Sequence, residues 1–332
     1  MTRTKAFADT PAGAVPCVST DDTWGDRIGR WRVRWGIGRF RYRVEPGLYA
    51  VGSPDAGSPV LVTANYRLTF DLLRRELDGV HAWVLVLDTN GINVWCAAGK
   101  RTFSTDEIVR RVRDTRLQDV VSHRKLIVPQ LGAPGVAAHE VRRACGFRVV
   151  YGPVRAADVK AFLQARMQAT EEMRRVTFTL GERLAVTSID LVGGLKILVL
   201  LALVLAALHG GMSLRWLAEI APYLAAVLAG TVVMPVLLPW IPGRAFALKG
   251  ALVGGVMVAA TLALLPAGRT VPGTVAVFLA ATTLASYMAM NFTGSTTFTS
   301  PSGVEKEMRH ALPVQLAAVA LACVAWISGA WS

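Results

Sequence analysis

The chain has four cysteines and five histidines, and their spacing limits the chemistry it can do. Cys17, Cys96, Cys145 and Cys323 include no Cys-x-x-Cys pair, so neither a zinc site nor an iron-sulfur cluster is encoded. His81, His123, His139, His209 and His310 lack close metal-ligand spacing, and no Gly-x-Ser-x-Gly elbow points to a Ser-His-Asp hydrolase. Cys96 stands apart. It lies in Asn93-Val94-Trp95-Cys96-Ala97-Ala98-Gly99-Lys100, a turn-like segment of small residues just after an apolar run, where backbone amides and a Gly-Lys pair favour thiolate. Two readings compete: a ligand, or a packed or merely reactive thiol, since free cysteine is among the most buried residue types. Cys145 follows a helical pattern and Cys323 an apolar run, so both read as core or bilayer residues, and no disulfide framework is predicted. His123, in Ser122-His123-Arg124, either reaches a cofactor or substrate or hydrogen-bonds its own loop.

The elements that position Cys96 alternate. Apolar Pro59 to Thr63, Trp83 to Leu87, Lys125 to Pro129 and Phe147 to Tyr151 are interleaved with helical Thr69 to Leu77, Thr105 to Thr115, Val136 to Cys145 and Ala156 to Met167. Such βα alternation predicts a Rossmann-like parallel sheet with crossover helices. Ser104 followed by Glu107 is a capping-box pattern that starts a helix directly after the cysteine segment. Cys96 is therefore expected in a strand-to-helix connection at the carboxyl end of Trp83 to Leu87, where open α/β sheets place ligands. Upstream, arginines and apolar residues alternate on both sides of Gly36-Ile37-Gly38, which predicts a β-hairpin. Its arginine face reads as solvated, with anionic lipid or a cofactor's phosphate as the other partners.

After about Arg183 the chain changes character, and the mean hydropathy of +0.41 is concentrated there. Five spans are expected, roughly Ile189 to Leu208, Ala218 to Leu238, Lys249 to Leu265, Gly273 to Met290 and Leu312 to Trp331. Most are about 20 residues long, enough to cross ~30 Å of hydrocarbon. The domain plan is a disordered tail over 1–29, a soluble α/β domain over 30–183 and an all-α transmembrane domain over 184–332. Basic residues cluster before the first span and between alternate spans. The positive-inside rule thus predicts a multi-pass protein of the cytoplasmic membrane, with its soluble domain cytoplasmic and its C-terminus outside. Lys196 within the first span marks either a functional site or a side chain snorkelling to the interface. Pro235, Pro239 and Pro242 break or end the second, and Asn291 to Gly303 reads as a Ser/Thr-rich cytoplasmic loop. The N-terminus lacks the apolar core of a signal peptide. The net charge of +13 comes with no nucleic-acid-binding motif, so no nucleic-acid partner is expected.

The octapeptide from Asn93 to Lys100 also matches, at every position, the Asn-Val/Ile-Trp-Cys-Ala-Ala/Gly-Gly-Lys signature of the mercury-methylating corrinoid family, HgcA. Blocks at 46–50, 62–66, 85–89, 121–124, 129–136, 151–156, 241–246 and 299–304 resemble the same family, so the likeness runs from about Arg39 to the C-terminus. The soluble part is similar to the corrinoid domain of the corrinoid iron-sulfur proteins. Arg101 and Ser104 stand where glycine is more usual, and Asn90 where lysine is.

The resemblance implies a base-off, cobalamin-type corrinoid with Cys96 thiolate as the lower axial ligand of cobalt. Val94, Trp95, Ala97, Ala98 and Gly99 would then let the backbone approach a flat macrocycle, with Trp95 fixing the segment. Asn93 and Lys100 would bond the cofactor's edge or hold the loop. Thr63, Asn65, Thr89, Gln130 and Gly132, at or just beyond strand ends, are further contact candidates. A methyl group from a methylated folate-type donor, or from that donor's methyltransferase, would pass through cobalt to Hg(II), giving methylmercury. Electrons would come from a two-cluster [4Fe-4S] ferredoxin, HgcB, which is also a candidate Hg(II) carrier, and membrane lipid would hold the rest. Two alternatives stay open: a corrinoid methyl carrier feeding an acetyl-CoA-forming nickel centre, and a membrane transporter or receptor with a ligand-binding soluble domain.

Overall fold

A computed structural model of the chain describes residues 4–208, 211–265, 267–292 and 301–330. They form two compact units. The first holds the described residues up to Val33 together with Ile37–Val176; the second holds Arg34–Gly36 and the described residues from Thr177 onward.

In the first unit the chain runs through β1 (Thr4–Thr10), β2 (Gly13–Val18), α1 (Trp24–Arg34), β3 (Gly47–Val51), β4 (Val60–Ala64), α2 (Arg67–Glu76) and β5 (Ala82–Leu87). It continues through α3 (Val94–Gly99), α4 (Thr105–Asp114), α5 (Leu117–Val120), β6 (Lys125–Val128), α6 (Ala138–Cys145), β7 (Arg148–Tyr151), α7 (Val159–Gln164) and α8 (Glu171–Arg174). The strands make one sheet in the order β1-β2-β3-β5-β4-β6-β7. β5, β4, β6 and β7 are parallel, as the βα alternation predicts. The whole sheet is mixed, because β3 pairs antiparallel with β5 from Gly47↔Val86 to Val51↔Ala82. β3, buried from Leu48 to Val51, escaped the sequence reading because it joins the sheet antiparallel and lies outside the βα alternation. Successive side chains feed opposite faces. Val60, Val62, Leu85 and Leu87 pack under α3, α4 and α6, whereas Leu61, Val84 and Val86 pack under α2 and α7.

Two expectations fail near the N-terminus. Residues 4–18, expected as a disordered tail, form the β1-β2 hairpin, which joins the sheet through parallel pairing of Cys17↔Ala50 and Val18↔Val51 and buries Val15 and Val18. Thr10 closes its turn, bonding the Gly13 carbonyl at 2.6 Å and accepting the Ala12 amide at 3.2 Å. The arginine-rich stretch, expected as a hairpin, is instead helix α1, a turn and a short 3-10 segment, Arg39–Arg41. A reciprocal capping box overrides the period-two pattern: Thr23 Oγ1 accepts the Asp26 amide and Asp26 Oδ2 accepts the Thr23 amide, each at 3.2 Å.

The second unit contains α9 (Leu180–Leu208), α10 (Leu214–Leu228), a π-helical turn (Ala229–Val233), α11 (Met234–Leu237), α12 (Phe246–Leu264), α13 (Val271–Asn291) and α14 (Pro301–Ala330). Five helices in it are long and apolar enough to cross a membrane: Leu180–Leu208, Leu214–Leu237, Phe246–Leu264, Val271–Asn291 and Gly303–Gly329. Gly250 and Gly254, one small-xxx-small step apart, let α12 lie against α13: a Cβ on either would fall 2.3 to 2.4 Å from Ala289 or Ala285. The second span ends at Leu237, short of Pro239 and Pro242, and two carbonyls at that end are satisfied by cations. Lys249 Nζ donates to Leu238 O at 2.6 Å and Arg183 Nη1 to Val236 O at 2.6 Å, which places positive charge at a helix carboxyl end. Lys196 is exposed on α9. His209 and residues 293–300 of the Ser/Thr-rich loop lie outside the described residues.

Candidate functional site

The chain crosses from β5, at one side of β4, to β6 at its other side, and the cysteine segment lies at that reversal. The segment is helical rather than a loop. Asn93 is the N-cap of α3, its Oδ1 accepting the Cys96 amide at 2.9 Å. The helix divides its residues by face: Val94, Ala97 and Ala98 are buried in the core, while Asn93, Trp95 and Cys96 are half-buried and Gly99 and Lys100 exposed. Val94, Ala97 and Ala98, expected to let the backbone approach a flat macrocycle, turn their side chains to the core. They anchor α3 beneath Cys96 by packing with Phe103 and Val136 in one cluster. Small size is needed for a different close approach: a Cβ on Gly135 would sit 2.1 Å from Phe103 O and 3.3 Å from Ala98 Cβ.

Burial pushes the Cys96 thiol up from its ordinary value, and the charges of Arg39 and Lys100 and a hydrogen bond from Asn93 oppose that push without overcoming it. The free site thus holds a thiol; the expected intrinsic bias toward thiolate does not arise from the loop alone. Gly99, one helical turn beyond Cys96, adds no side chain beside the sulfur. Among the described residues no group of three or more His, Cys, Asp or Glu could hold a metal ion.

The strand-end candidates gather at the same end of the sheet, but most serve the scaffold. Asn65 is 1% exposed, and its Oδ1 accepts the Thr89 amide at 3.0 Å and the Gly91 amide at 2.9 Å while its Nδ2 donates to Asp88 at 3.0 Å. Thr89 and Thr63 are buried too. Gly132 is buried against Phe103, where a Cβ would lie 2.5 Å from the ring. Gln130 accepts from Arg174 Nη1 at 2.8 Å. Ser104 caps α4 as expected, but Glu107 reaches the Asp88 amide at 2.9 Å, tying α4 to the end of β5. His123 sits at the amino ends of the strands. Its Nδ1 faces the Lys125 amide at 3.2 Å and its Nε2 the Ser58 carbonyl at 2.9 Å, a loop-holding role. Arg39 and Glu107 were the contributors hardest to anticipate, because no spacing rule links either to Cys96 or Asp88.

Comparison with known proteins concerns the α/β unit. Residues 38–163 match the CdhD family, described as CO dehydrogenase/acetyl-CoA synthase delta subunit. The acetyl-CoA decarbonylase/synthase complex subunit gamma of Methanopyrus kandleri is 34% identical over 123 residues, 36% of this chain and 26% of the relative. The equivalent subunit of Methanocaldococcus jannaschii is 35% identical over 123 residues, 36% of this chain and 25% of the relative. The corrinoid/iron-sulfur protein large subunit of Moorella thermoacetica is 29% identical over 127 residues, 38% of this chain and 28% of the relative. Within residues 38–163 the α/β unit is thus similar to subunits of these acetyl-CoA synthase and corrinoid/iron-sulfur proteins. The chain spans about a quarter of the length of these curated relatives.

Proposed function

We propose that the α/β unit binds a corrinoid through Cys96, and that the chain is a membrane-held methyltransferase delivering a methyl group to Hg(II) as methylmercury. One observation carries this reading: a lone sulfur on the outward face of a capped, core-anchored helix, with no cluster of metal-ligating side chains among the described residues. A metal engaged there by one protein sulfur must bring its remaining ligands, as a macrocycle does. The kinship with the corrinoid/iron-sulfur protein family supports the cofactor class, and the match of residues 93–100 to the HgcA signature supports the acceptor.

When bound, a corrinoid supplies a cobalt centre able to accept and surrender a methyl group. The chain's residues do the rest. Cys96 would hold the corrinoid's metal as thiolate, since a bound cation would reverse the effect of burial on its proton. A thiolate would donate more electron density than imidazole, by the logic of thiolate-ligated haem, and would suit the site to a soft electrophilic acceptor. Arg39 and Lys100 offset the new negative charge. Asn93 holds the Cys96 amide, and Asn65 holds the turn before it. A methylated folate-type donor, the ferredoxin HgcB as reductant and Hg(II) carrier, and a cytoplasmic placement of the α/β unit complete the proposal.

A second reading, methyl carriage to an acetyl-CoA-forming nickel centre, is favoured by the similarity to subunits of acetyl-CoA decarbonylase/synthase complexes. An assay of membranes with and without the ferredoxin partner separates the two. Methylmercury formation that requires the partner and is abolished by Cys96→Ala, with membrane insertion intact, is expected; Cys145→Ala and Cys323→Ala should retain it. Undiminished methylation by Cys96→Ala would refute the ligation, and corrinoid binding without any methylmercury would favour the second reading.

A further inference from the structure

Helix α1 carries its polarity inside out. Its inward face is charged: Asp26 pairs with Arg67 at 3.2 Å and with the buried Arg74 at 2.9 Å, and Arg30 grips Asp22 at 2.6 and 2.8 Å. Val33 is its one buried apolar side chain. Gly29 seats this face closely, since a Cβ there would lie 2.6 Å from the Tyr42 hydroxyl. On the opposite side Trp24, Ile28 and Trp31 recur at i, i+4 and i+7 and are 76%, 54% and 60% exposed. Helical geometry places Arg32 on one flank of this stripe and Arg27 and Arg34 on the other, with the Arg27 guanidinium 5.4 Å from the Trp24 ring centroid.

A surface helix normally buries its apolar stripe, and a row of two indoles and an isoleucine each more than half exposed is unfavourable unless something covers it. The flanks decide what. Asp26, the helix's acidic residue, is turned inward, so the outward side is aromatic and cationic, the composition that settles into the headgroup region of an anionic bilayer. The five apolar helices of the same chain keep such a bilayer within reach. We propose that α1 is a membrane-surface helix, seating Trp24, Ile28 and Trp31 among headgroups and Arg27, Arg32 and Arg34 on lipid phosphates. The ion pairs of its inward face are the mount that transmits this contact to the α/β unit.

The test uses the full chain, with its four native cysteines replaced and a nitroxide at Ile28→Cys, in vesicles of phosphatidylcholine with or without phosphatidylglycerol. In anionic vesicles the label should be several-fold less accessible to an aqueous nickel relaxant than one at Arg110→Cys on α4, and more accessible to oxygen. Arg27→Glu with Arg32→Glu should return it toward the aqueous value. A label at Trp24→Cys gives an independent reading if position 28 disturbs the helix. Equal nickel accessibility at 28 and 110 in anionic vesicles, equal protection in both lipids, or protection that appears only when a soluble protein is added would overturn the proposal.

Discussion

Cys96 shares its helix with residues of a different duty: Val94, Ala97 and Ala98 face the core while Cys96 is half-buried, so a six-residue segment both anchors itself and leaves its thiol partly accessible. Burial raises the thiol's pKa, so its neutral form is favoured until pH rises through that raised value or a metal displaces the proton. In corrinoid-free protein, alkylation of Cys96 followed by peptide mass spectrometry should therefore remain slow at neutral pH and accelerate only above the ordinary thiol range of about 8.5. A midpoint at or below that of free cysteine would contradict the electrostatic account. Asn65 carries the neighbouring turn. Asn65→Leu leaves the buried Thr89 and Gly91 amides without their acceptor and should destabilise the α/β unit by about 2–5 kcal/mol, read as a shifted denaturation midpoint. The cysteine, its signature and the strand-end positions were legible in the sequence. The split of roles was not, because which side of α3 meets the core depends on Phe103 and Gly135, which pack there only once the chain has folded.

At the scale of elements, local chemistry explains both the agreements and the failures. The helix beginning at Ser104 was readable from its cap. The cap at Thr23 was equally local, yet the alternation of arginine and tryptophan after it mimics a strand; the folded helix satisfies that pattern only by turning tryptophan outward and salt-bridging inward. Arg101, where glycine is more usual in the resembling family, has φ +59°, in the left-handed region that disfavours a side chain. Arg101→Gly should accordingly stabilise the unit by about 1 kcal/mol. A fall in stability would mean that the arginine side chain contributes more than its backbone strain costs.

Across the whole molecule, the parallel half of the sheet and the five apolar helices were legible because periodicity and length report them directly. β2 and β3 were not, since their placement depends on pairing with strands distant in sequence, and β1 joins the sheet only through its hairpin with β2. Both units bear on one claim, that a sulfur presented by the α/β unit coordinates cobalt in a protein fixed to a membrane. The most direct measurement is cobalt-edge X-ray absorption on the full chain loaded with a corrinoid, compared with Cys96→Ala. A sulfur scatterer at bonding distance in the wild type that vanishes in the variant is the predicted result. Cobalt bound equally in both proteins with no sulfur in its coordination sphere would contradict it.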